Sequence, residues 1–255
     1  MIQIERKDAK MTIVLGDEVV NGKYDMKNLF KCLDLYLKSK DAQNIAVRVG
    51  NRDEVFCEVY KYSGTPIDGC TLFDMASVTK IAVTTTLALM ALDCDLIQLN
   101  DPIFKFFEVP DDKREITIKH LLTHTIGIGY KNICKLGVNY DNVQNYIVTI
   151  PSDIEIGSDV LYSCPGYILL GKVLEKVFGN RLDVLFAEKI GKPLGMRDSS
   201  FLPEKRKGFV NSNLGNEKVG IVNDYNCNFL GGVAGNAGLF SNMNDMCRYV
   251  EFLLN

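Results

Sequence analysis

Apolar residues first recur at helical spacing over residues 26–40, where Met26, Leu29, Phe30, Leu33, Tyr36 and Leu37 form one face. Asp25 stands at the N-cap and lysines crowd the far end, so the pattern predicts a helix. The period then changes to two. Ile45, Val47 and Val49 alternate with polar residues, as do Val55, Cys57 and Val59, around the polar turn Gly50-Asn51-Arg52-Asp53. That predicts a β-hairpin whose inner face carries Ile45, Val47, Val49, Val55 and Val59. Met11, Ile13 and Leu15 also alternate, so residues 1–20 can add strands. From about residue 76 the helical period returns, over 77–92, over 117–123 with Thr117 as cap, over 166–178 and over 181–190. The third of these carries Tyr167, Leu170, Leu174 and Val177 on one face and stops at Gly179. A last helix is expected over 245–254, with Met246, Val250 and Leu253 on one face and Asn244 as cap. There is no internal repeat and no low-complexity stretch.

Composition narrows the class. At 255 residues and 47% apolar content the chain can bury the core of one large or two-lobed domain. Its net charge is −3, with Lys and Arg spread along the sequence, so no nucleic-acid partner is expected. No apolar run reaches the ~18 residues of a transmembrane segment. The start Met1-Ile2-Gln3-Ile4-Glu5-Arg6-Lys7-Asp8 lacks the plan of a signal peptide. The eight cysteines are scattered without a C-x-x-C pair, which reads as reduced thiols in the cytoplasm. His120 and His124 are the only histidines, so neither a metal nor another cofactor is expected.

Candidate chemistry begins at Ser77-Val78-Thr79-Lys80. A serine and a lysine three apart share one face of a helix. An amine that has lost its proton through burial or a neighbouring cation can then take the hydroxyl's proton. Roughly one such tetrad arises by chance in a chain this long, so the surroundings decide. Leu72-Phe73-Asp74-Met75-Ala76 precedes it, and Leu121-Leu122-Thr123-His124-Thr125-Ile126-Gly127 follows. Further on come Tyr162-Ser163-Cys164-Pro165-Gly166-Tyr167, Lys192-Pro193-Leu194-Gly195-Met196-Arg197-Asp198 and Ala237-Gly238-Leu239-Phe240-Ser241. Five landmarks in this order, spread over about residues 42 to 254, resemble the serine beta-lactamase and penicillin-binding-protein superfamily in its class C and esterase-like branch.

The resemblance implies an α+β fold, an antiparallel sheet flanked by helices with an inserted helical lobe. It places an α/β lobe at 1–70 and 210–255 and the helical lobe at 71–209. It implies Ser77 as nucleophile, Lys80 and Tyr162 as proton carriers, and Cys164 at a substrate-binding position where the family usually has Asn or Asp. Ser77 as a plain N-cap is the competing reading. Both histidines read as structural, because no G-x-S-x-G elbow exists to build a Ser-His-Asp triad. The run Gly231 to Gly238 lacks the ending of a phosphate loop and reads as close backbone packing. Asn236 replaces the His often seen before Ala-Gly-Leu-Phe.

The family's third motif, Lys-Thr-Gly or His-Thr-Gly on a sheet strand, occurs nowhere in these 255 residues. The sheet is therefore expected to be incomplete at its C-terminal side, to be met by residues 1–20, a second copy or a C-terminal partner chain. The activity implied is a serine acyl-enzyme hydrolase acting on a small-molecule or peptide substrate, whether a beta-lactam, a D-alanyl peptide or an ester. The alternative is a catalytically impaired homologue that binds a ligand or partner.

Overall fold

A computed structural model of the chain describes residues 3–7, 10–15, 18–22, 27–39, 44–62, 66–204 and 220–255. Three short strands open it: β1 (Gln3–Lys7), β2 (Lys10–Leu15) and β3 (Glu18–Gly22), antiparallel in the order β1-β2-β3. Ile4 faces Ile13, and Ile13 faces Val20. The N-terminal stretch thus does supply strands, and β3 runs beside β5.

Helix α1 (Lys27–Ser39) follows, with Asp25 and Met26 of the expected helix outside the described residues. The predicted hairpin is β4 (Asn44–Gly50) and β5 (Val55–Tyr62), antiparallel with Val47 opposite Val59. Its turn is held by Asn51, whose Oδ1 accepts from the Asp53 and Glu54 amides at 2.8 and 2.9 Å. Phe30 of α1 packs on Cys57 and Val59, with Leu33 and Val49 at the edge of that cluster. Asp34 of α1 pairs with the buried Lys61. One member of the expected inner face departs from it. Val55 is exposed, because the register shifts between Val49 and Gly50 and β5 begins at the end of the pairing.

The main core belongs to the helical region. After β6 (Phe73–Asp74) comes the predicted helix of the tetrad, which is not a plain α-helix. A π-helical segment spans Lys80–Thr85 and passes into α2 (Thr86–Asp93). Short helices α3 (Ile118–Leu122) and α4 (Val143–Ile147) lie against the long α5 (Cys164–Phe178). Thr117 caps α3 in a capping box with His120, as expected of Thr117. Ser163 caps α5, and Gly179, left-handed at φ 74, ends it. Tyr167, Ile168, Leu169, Leu170, Val173 and Leu174 are all buried, so α5 is covered around most of its girth. Each such side chain contributes about 1.5–3 kcal/mol relative to exposure. Helices α6 (Leu182–Phe186) and α7 (Lys192–Leu194), joined by a π turn over Ala187–Gly191, complete this region.

A small sheet then returns to the tetrad. β7 (Ser200–Phe201) and β6 flank β8 (Leu239–Ser241), so Asp74 and Ser200 both face Phe240. Between β7 and β8 lies α8 (Tyr225–Phe229), and α9 (Met243–Leu254) closes the chain. The cap of α9 is Asn242, whose side chain accepts from the Asp245 amide at 2.9 Å, and not the expected Asn244. Asn244 instead accepts from Arg48 of β4 at 3.0 Å. The face of α9 also differs. Asp245 and Tyr249 are buried and Met246 half-buried, whereas Val250 and Leu253 are exposed. The whole is an α+β fold with antiparallel sheets, flanking helices and an inserted helical region. Among the described residues, no helix is long and apolar enough to cross a membrane.

Candidate active site

Ser77 stands at the turn into the tetrad helix, and several contacts fix that turn. Ala76 takes a left-handed backbone at φ 43, a conformation that costs a non-glycine residue energy and is held only by its surroundings. Asp74 supplies part of the hold. One of its carboxylate oxygens accepts from the Ala76 amide at 2.8 Å, and the other accepts from the Asn223 amide at 2.7 Å. Burial pushes the Asp74 carboxyl above the usual carboxylate range, and the nearby Asp224 adds to this. β8 supplies the rest. The Leu239 carbonyl accepts from the Met75 amide at 2.9 Å, and the Leu239 amide donates to the buried Thr79 hydroxyl at 3.2 Å. Two landmarks distant in sequence are therefore two sides of one joint.

Lys80 and Tyr162 both reach Ser77. The Tyr162 hydroxyl donates to Ser77 Oγ at 2.7 Å, and Lys80 Nζ donates to the same atom at 3.1 Å. Lys80 is only 3% exposed, and its ammonium also donates to the Asn236 carbonyl at 2.9 Å. It lies 4.9 Å from the Tyr162 ring centre and 5.8 Å from that of Tyr167. Among the described residues no carboxylate pairs with it. Cys164, the first residue of α5, is buried beside Lys80 and Asn236. Burial pushes its thiol up, only partly countered by the lysine charge. It is a small protonated group in the wall of the site.

Chemically, a hydroxyl flanked by two proton-carrying groups can attack an acyl carbon, once one of them is free to accept its proton. The Ser77 amide takes part in no hydrogen bond among the described residues, so it is available to a developing oxyanion. Among those residues no cluster of three or more His, Cys, Asp or Glu is placed to hold a metal ion.

Comparison with known proteins gives the family of the chain. The family model described as "Beta-lactamase" matches residues 30–255. The chain belongs to the beta-lactamase family. A Bacillus subtilis relative named N-acetylmuramyl-L-alanine amidase is 28% identical over 222 residues, covering 72% of this chain and 50% of that protein. The octameric penicillin-binding protein homologue from Pyrococcus abyssi superposes with a TM-score of 0.72 at 23% identity, over 90% of this chain and 56% of that one. The beta-lactamase/D-alanine carboxypeptidase from Yersinia pestis, solved with citrate, gives 0.69 at 22%, over 88% and 68%. The chain spans about half the length of the curated relatives it matches.

All four residues singled out in the sequence lie together, Ser77, Lys80 and Tyr162 in contact and Cys164 behind them. Two further residues belong to the site. Asn236 is fully buried, gives its carbonyl to Lys80, and donates through Nδ2 to Asp224 at 2.9 Å, while its Oδ1 has no partner among the described residues. His124, at φ 59, lies against Tyr162 with ring centres 4.7 Å apart and planes tilted by 37°. Both stand next to or inside family landmarks, which was the one signal the sequence offered for them. The glycine run does pack closely. A Cβ on Gly235 would fall 2.0 Å from the Tyr167 carbonyl oxygen.

Proposed function

We propose that the chain is a serine hydrolase working through an acyl-enzyme, with a beta-lactam, a D-alanyl peptide or an ester as substrate. Ser77 attacks the acyl carbon, Lys80 and Tyr162 move its proton to the leaving group, and water releases the acyl chain. The observation that carries this reading is the double contact on Ser77 Oγ, from Tyr162 and from Lys80. Family membership supports the reaction class, and the substrate names of the relatives support its range.

One oxyanion donor is the Ser77 amide. The resemblance assigns the other to a strand carrying Lys-Thr-Gly or His-Thr-Gly, a motif these 255 residues lack. Among the described residues β4 pairs only with β5, leaving one edge at which such a strand can pair. Losing one donor lowers the rate about 10²–10³-fold. Hence the second reading, a ligand- or partner-binding module, which Cys164 and the open β4 edge favour.

A fluorophosphonate and a fluorescent penicillin separate the two. On the full chain, mass spectrometry is expected to place the adduct on Ser77, and Ser77→Ala is expected to remain unlabelled. An adduct elsewhere, or equal labelling of Ser77→Ala, removes Ser77 as nucleophile. No labelling at all favours the binding module.

A further inference from the structure

His124 holds the extended segment that carries Tyr162, just before α5, at two points. Its carbonyl accepts from the Leu161 amide at 2.8 Å, and its Nδ1 accepts from the Ser163 amide at 3.0 Å. Both bonds close on one residue, so the backbone on each side of Tyr162 is tied to the same point. The ring completes the hold. It lies against two tilted tyrosine rings, Tyr162 at 4.7 Å and Tyr167 at 4.8 Å between centres. Tyr167 is fixed in turn by bonds to the Leu122 carbonyl and the Thr85 hydroxyl, both 3.2 Å. Tyr162 itself is 48% exposed, and apart from His124 it is met by Ser77 and Lys80. The left-handed backbone of His124 turns the chain after α3, where its carbonyl and ring both address the 161–163 segment.

We propose that His124 is a positioning residue, a neutral imidazole that straps Leu161-Tyr162-Ser163 in place and so keeps the Tyr162 hydroxyl on Ser77 Oγ. Its kinetic consequence rests on the serine-hydrolase reading; its geometry does not. Because Nδ1 accepts, the ring proton belongs on Nε2. The titratable groups facing the ring are Lys80 from the π-helical segment, Tyr162 from the strapped segment before α5 and Tyr167 from α5. Protonation would set a second cation near Lys80 and remove the acceptor of the Ser163 amide. Burial, then the Lys80 charge, accordingly push His124 below its ordinary value. The strap is closed when His124 is neutral and opens as the pH falls through that lowered value.

Two measurements on the full chain test this independently. In long-range proton–nitrogen spectra of ¹⁵N-labelled protein, with His120→Gln used for assignment, His124 is expected as the Nε2–H tautomer. It should titrate below about 6.5, and the Ser163 amide resonance should move with the same midpoint. An Nδ1–H tautomer, or a Ser163 amide indifferent to the titration, overturns the strap. The kinetic arm compares fluorophosphonate acylation of Ser77 in variants shown by circular dichroism to be folded. His124→Ala should slow acylation about 10²-fold, the cost of a misplaced reacting group, at unchanged half-saturating probe concentration. His124→Asn can adopt a left-handed backbone and offer Oδ1 to the Ser163 amide, and should recover most of that loss. Equal loss in both folded variants, or an unchanged rate in His124→Ala, overturns the proposal. If the unaltered chain does not label, the hydrolase reading has failed and the spectra alone decide the strap.

Discussion

Lys80 is the residue on which the energetics of the site turn. It is almost fully buried, yet its partners are a hydroxyl, a main-chain carbonyl and two ring faces rather than a carboxylate. Burying an amine without a counter-charge costs folding free energy whenever it carries its proton. Lys80→Met keeps the length and apolar stem of the side chain and removes the amine. Its thermal midpoint in calorimetry is expected to equal or exceed that of the unaltered chain, while labelling of Ser77 falls about 10²–10⁴-fold. A lower midpoint would mean that the bond to the Asn236 carbonyl outweighs the burial of charge. The meeting of Ser77, Lys80 and Tyr162 was legible in the sequence because each side chain stands inside a recognisable string. Asn236 and His124 were not. Each contributes a backbone carbonyl, which every residue has, and a long-range position that local periodicity does not encode.

At the level of elements, the signals that were read correctly are local ones. Thr117 before α3, Gly179 after α5 and the alternation of β4 and β5 all act within a few residues. The reading failed where two candidates competed or where tertiary contact decided. Asn242 and Asn244 are equally good caps by type, and the choice falls on Asn242 because β8 ends at Ser241 and Arg48 engages Asn244. No sequence pattern announced the π-helical segment over Lys80–Thr85. The approach of the glycine run to α5 yields a prediction of its own. Gly235→Ala would drive a methyl into the Tyr167 carbonyl, with the Gly171 Cα 3.1 Å away, and backbone cannot step aside as a side chain can. The expected loss is at the upper end of the about 1–3 kcal/mol typical of overpacking. Ser77 labelling should fall with it, because Asn236 is the next residue. Gly137, at φ 83 with nothing within 4 Å of an added Cβ, is the control. Its alanine variant should lose only the about 1–2 kcal/mol of the left-handed backbone. Chemical denaturation of both proteins makes the comparison, and equal losses would count against the close approach.

For the molecule as a whole, the sheet region is the part least secured by the main core. The hairpin keeps a small cluster with α1, and β3 lies beside β5, while the far edge of β4 is unpaired among the described residues. Deleting residues 1–20 would bare β5 as well. Light scattering is therefore expected to report a higher apparent mass for the deletion than for the full chain. A monomer of unchanged mass after the deletion would show that the N-terminal strands do not shield the hairpin. The joint between the nucleophile turn and β8 has a consequence during synthesis. The bond from Leu239 to Thr79 spans 160 positions, and the sheet order β6-β8-β7 depends on the same segment. A nascent chain is made from its N-terminus at about 5–20 residues per second. The tetrad thus leaves the ribosome many seconds before the strand that pins it. Until Leu239 emerges, Ala76 has no β8 to sustain its left-handed turn, so the geometry around Ser77 is completed only late in synthesis.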